Sequence, residues 1–92
     1  MNVQIELSLY PLRTQDLHDP INKFCNSLEK SGLESRTGPM STSMSGEVSQ
    51  VFDAIKRALS EVGENQEFVL LLKASNACPA ASDRKEKILP LF

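Results

Sequence analysis

Hydrophobic and polar residues alternate from the start of the chain. Val3, Ile5, Leu7 and Leu9 interleave with Gln4, Glu6, Ser8 and Tyr10, the period of two that marks a strand with one buried face. Pro11 ends the run, because it has no N–H to give to a ladder. The period then lengthens: Ile21, Phe24, Cys25 and Leu28 fall at i, i+3, i+4 and i+7, one face of a helix. Asp19-Pro20 reads as its N-cap and first position, and Gly32 as the residue that closes it. Gly38-Pro39 marks a turn, so Leu33–Gly38 and Met40–Ser45 read as a hairpin. In its second strand the parity sends Met40, Thr42 and Met44 to the core and Ser41, Ser43 and Ser45 to the side that Ser8 shares. Helical spacing returns with Val48, Val51, Phe52, Ile55, Leu59 and Val62, starting at Gly46-Glu47 and ending at Gly63. Glu47 falls in the first turn, where a carboxylate complements the helix dipole. The last strand, Glu67–Ala74, does not alternate. It puts Phe68, Leu70 and Leu72 on one face and Val69 and Leu71 on the other.

The order strand, helix, strand, strand, helix, strand, with right-handed crossovers, predicts an α+β ferredoxin-like βαββαβ sandwich. Four antiparallel strands carry two helices on one face. A strand that is apolar on both sides expects cover on both sides, and two helices supply only one layer. Leaving Val69 and Leu71 in water forgoes about 1.5–3 kcal/mol per side chain. The expectation is therefore a homo-oligomer, a dimer at least and a tetramer if both surfaces are used. The domain is expected over residues 1–79. Residues 80–92 form a polar tail with an apolar end, ILPLF.

Ninety-two residues make one domain with a small core. The net charge of −2 and pI of about 5.3 oppose a nucleic-acid binder, which needs a basic face. No apolar run is long enough to cross a bilayer, and the N-terminal residues do not read as a signal peptide. Cys25 and Cys78 are far apart and in no metal spacing, which suits a reduced, cytoplasmic protein. Cys25 lies on the apolar helical stripe as a small hydrophobe, and His18, the one histidine, precedes the helix in a polar segment. No phosphate loop, metal set or catalytic triad is present, so neither a cofactor nor an enzymatic activity is expected. An acylphosphatase-like hydrolase would need a glycine-rich anion loop after the first strand. Leu12-Arg13-Thr14-Gln15 stands there instead, with Arg13 as the only support for that reading. An RNA-recognition domain would need several aromatic residues on the central strands, where Tyr10 stands alone.

Four short stretches together resemble the YkoF-like thiamine/hydroxymethylpyrimidine-binding family. They are Ser8-Leu9-Tyr10-Pro11, then Met40-Ser41-Thr42 with Ser45-Gly46-Glu47, then Val51-Phe52-Asp53-Ala54, then Ser75-Asn76-Ala77-Cys78-Pro79. The resemblance runs from Val3 to about Pro79. It implies a non-enzymatic binder of thiamine or its pyrimidine half, acting in thiamine uptake or salvage and assembling as dimers or tetramers. Carried over position by position, it implies a ligand site at Ser8, Tyr10, Ser41 and Thr42 and at the turn Ser75, Cys78 and Pro79, with Asn76 between. An aminopyrimidine is flat, with ring-nitrogen acceptors and an amine donor, and calls for a stacking surface and neutral partners. Met44 and Tyr10 would stack, and Glu6 or Glu47 would balance a thiazolium. Single-domain relatives commonly carry glycine where this chain has Ser41, which adds a side chain there. The other reading is a structural or regulatory oligomeric module with a closed site or a different metabolite.

Overall fold

The computed structural model describes residues 1–77. Cys78, Pro79 and the expected tail 80–92 lie outside them. The elements run β1 (Asn2–Pro11), α1 (His18–Lys30), β2 (Glu34–Thr37), β3 (Thr42–Glu47), α2 (Val48–Val62) and β4 (Phe68–Ser75). The sheet order is β2-β3-β1-β4 and every pairing is antiparallel. This is the ferredoxin-like arrangement, with β1 and β3 central and the helices on one face.

Alternation along β1 does what its period dictates. Val3, Ile5 and Leu7 are buried, Leu9 packs against the same core, and Glu6 and Tyr10 are exposed. Phe24 and Leu28 of α1 and Val51, Ile55 and Val62 of α2 close over them. Ala54 and Ala58 are also buried, and their small side chains let α2 approach closely. Phe52 departs from the stripe that spacing assigns to it. It sits a hundred degrees round the helix from Val51 and stays exposed, while the alanines take the contact. The start of α1 also differs. His18 is its first residue and Asp16, not Asp19, supplies the cap: Asp16 Oδ1 accepts from the amides of His18 at 3.0 Å and Asp19 at 3.4 Å. Gly32, at φ 79°, closes the C-terminal end as its position predicts.

The register contains the feature that matters for function. β3 begins at Thr42, opposite Leu7, whereas β4 accompanies β1 as far as Pro11 opposite Phe68. From Ser8 to Pro11, therefore, β1 outruns β3. The tight β2–β3 turn lies beside that bare edge, closed by Gly38 N donating to Ser41 O at 2.8 Å.

A candidate ligand cleft at the end of the sheet

Where β1 outruns β3, a cleft of about 320 Å³ opens between the sheet, the N-terminal half of α1 and the β2–β3 turn. Its inner wall is apolar, built from Leu7, Leu9, Ile21 and Phe24, and Pro39 and Met40 stand opposite. Three neutral polar groups converge at its base. Thr42, only 6% exposed, has its hydroxyl 3.4 Å from that of Thr37 and 3.9 Å from the Cys25 sulfur. These are long contacts, so the hydroxyl can re-pair with an incoming group at little cost. A hydroxyl both donates and accepts. Among the described residues, no Asp, Glu, Lys, Arg or His lines the cleft. The amides at the start of α1 are already engaged by Asp16. The arrangement suits an uncharged flat ring with hydrogen-bonding edges rather than an anion.

Of the residues singled out by sequence, the structure brings Ser8, Tyr10, Ser41 and Thr42 to this cleft. It does not bring Met44, Glu47 or Asn76. Met44, opposite Ile5, is buried in the core and cannot stack on a ligand. Glu47 lies opposite Asn2, and Asn76 follows Ser75, which lies opposite Gln4. From Tyr10 back to Gln4 is six residues, roughly 20 Å along a strand. Glu47 has local work at that far end. It ends β3 and caps α2, accepting from Ser49 N at 2.8 Å, and stands 3.6 Å from the amino group of Met1. The Ser49 amide above all, helped by the amino-group charge, holds its carboxyl below the ordinary carboxylate range, although partial desolvation opposes them. Asn76 donates to the sulfur of Met1 at 3.3 Å.

Ser8 and Ser41 rim the cleft, but their hydroxyls turn elsewhere. Ser8 Oγ donates to the carbonyl of Met40 at 3.3 Å, and Ser41 Oγ to Glu6 Oε2 at 3.0 Å. Glu6 also faces Lys73, at 3.7 Å. The Ser41 side chain thus fastens the turn to the open sheet face. Met40 is the plainest departure from the parity argument. It lies in the turn before β3 and is 85% exposed, where a core position was expected. Thr37, the register partner of Thr42, and Cys25, from the apolar stripe of α1, also line the cleft.

Arg13 pairs with Glu67 at 2.7 Å, so its guanidinium is engaged at the surface. A larger hollow, about 440 Å³, lies between α1 and α2. Charged groups dominate it, and two of them, Asp53 and Arg57, already pair at 2.8 Å. Among the described residues no cluster of three metal-ligating side chains occurs, and no helix is long and apolar enough to cross a membrane.

The fold is that of a ferredoxin-like domain with a candidate cleft at the end of its sheet. The chain belongs to the thiamine-binding protein family, whose model matches residues 5–88. Solved structures agree on the fold. A Streptococcus pneumoniae protein is similar at 21% identity and TM-score 0.80, over 95% of this chain and 100% of its own. A Thermotoga maritima protein, assigned provisionally to thiamine biosynthesis or salvage, is similar at 23% identity and TM-score 0.71, over 80% and 82%. A domain of unknown function from Bacillus cereus is similar at 24% identity and TM-score 0.72, over 82% and 75%. No curated protein matches the chain.

Proposed function

We propose that this protein binds thiamine or its hydroxymethylpyrimidine half without turning it over, and serves its uptake or salvage inside the cell. The observation that carries the reading is the uncharged cleft, whose apolar wall and converging Thr42, Thr37 and Cys25 groups suit an aminopyrimidine. Family membership points to the same ligand class. The pyrimidine lies against Leu9 and Phe24 with its polar edge toward Thr42 and the bare edge of β1. A thiazolium extends out of the mouth toward Glu6. Met44, Glu47 and Asn76 take no part within one chain.

The proposal includes self-association. Val69 and Leu71 are 44% and 57% exposed on the face away from the helices, beside Tyr10 and Ser8 in register. A second copy meeting this face would bury them. Calorimetric titration with thiamine, hydroxymethylpyrimidine and their phosphate esters, run beside light scattering, tests both parts. Micromolar binding of the unphosphorylated compounds by a dimer or tetramer is expected. No heat and no thermal shift at millimolar ligand would refute the ligand, and a monomer at micromolar protein would refute the assembly.

A further inference from the structure

We infer that Met40 is the side chain that closes over the bound ring, in the stacking role that the family resemblance suggests for Met44. The inference rests on the reading of the cleft as a ring-binding site. Two large apolar side chains stand in water at one opening, Met40 at 85% and Leu17 at 50% exposed, and Tyr10 lines it from the strand end with its side chain on the open sheet face. They come from the β2–β3 turn, the segment before α1 and the end of β1. Scattered exposed apolar residues need no explanation, but a pair of them at the mouth of an apolar cleft marks a surface that something else covers.

The turn itself is a fixed post. Gly38 N donates to Ser41 O, Ser8 Oγ holds the Met40 carbonyl, and Ser41 Oγ holds Glu6. With the backbone tied at these points, the free motion is the rotation of the Met40 side chain. A thioether on three rotatable bonds adapts to an irregular gap and sits favourably on an aromatic ring. Leu17, in the segment before α1, lines the same cleft. Folding over the ligand would bury apolar surface on both partners and exclude water from the hydrogen bonds beneath.

The full chain carries its own references for a test. Met1 is 67% exposed and lies at the far end of the sheet, and Met44 is 3% exposed in the core. Peroxide oxidation followed by peptide mass spectrometry reads all three methionines in one sample. With saturating thiamine, hydroxymethylpyrimidine or 4-aminopyrimidine, Met40 oxidation should slow severalfold while Met1 and Met44 keep their rates. Met40→Ala should weaken binding about tenfold, as expected for uncovering part of one side chain. Met40→Leu should restore most of that affinity, and neither variant should shift the melting temperature. Thiamine binding with unchanged Met40 oxidation would overturn this role and leave the proposed function standing. Protection by a pyrimidine without thiamine binding would support the role and count against thiamine as the ligand. Failure of every ring compound to protect Met40 would overturn the role.

Discussion

The two ends of β1 carry similar residue types and use them differently. At the Met1 end the polar groups are committed to the chain itself. Glu47 caps α2, Asn76 reaches Met1, and Val48 N donates to the Met1 carbonyl at 2.9 Å. At the Tyr10 end, Thr42, Thr37 and Cys25 share long contacts at the base of a cleft, and apolar side chains stand in water round its mouth. Asn76 and Thr42 are both neutral hydrogen-bonding residues, so type alone does not separate them. Register does. At the Met1 end β3 runs on to Glu47 opposite Asn2, and β4 joins from Ser75 opposite Gln4. At the other, β3 stops at Thr42 and leaves an edge and a hollow.

Leu7→Ala should have the largest effect, because Leu7 belongs to both the core and the cleft wall. It is 1% exposed and lies opposite Thr42. Truncation should cost about 2–5 kcal/mol in a urea melt, a large share of a small domain's stability. The cleft should widen and ligand affinity should fall as well. A cost under about 1 kcal/mol would mean that the site collapses easily and that the cleft is not a fixed feature.

The next pair of variants separates the ends directly. Thr42→Val keeps the shape of the side chain and removes the hydroxyl. Thiamine or pyrimidine affinity should fall about tenfold, the equivalent of one neutral hydrogen bond. Thr37 is exposed and can bond to water instead, so the melting temperature should change little. Asn76→Ala, at the committed end, should leave affinity unchanged. Equal losses in the two variants would show that the ligand reaches both ends, within one chain or across an assembly.

Much of this was legible in the sequence, and the failures share a cause. The period-two run of β1 and the 3.6-period stripes fixed the element order and most of the core, because burial acts on each element separately. Gly32 and Gly63 marked their helix ends correctly. Met40 failed because parity was carried through a turn. Alternation holds only within a strand, and β3 starts at Thr42. Glu47 takes the structural place that its position at a helix start predicts, satisfying the backbone there. Ser8 and Ser41 lie at the cleft rim, where their hydroxyls hold the turn. Thr37 reaches Thr42 as its register partner across the β2–β3 hairpin. Cys25 reaches it only because α1 crosses the sheet there, a relation between segments that spacing along the chain does not encode.

The smallest expected effect lies at the committed end and depends on pH. The Ser49 amide and the nearby amino group hold the Glu47 carboxyl below its ordinary 4.5 in the folded chain. The folded state therefore keeps this group ionised at pH values where the unfolded chain has already taken up a proton. Its contribution to stability is full above about pH 4.5 and declines as pH falls through the folded value. Glu47→Gln keeps an amide oxygen for Ser49 but removes the charge. The variant should melt slightly below the parent at neutral pH, and the gap should close as the pH is lowered beneath the carboxylate range. Ligand affinity at neutral pH should be the same in both. A gap that persists undiminished in acid would place the effect in the shape of the cap rather than its charge. A loss of affinity would join Glu47 to the site after all and erase the distinction between the two ends.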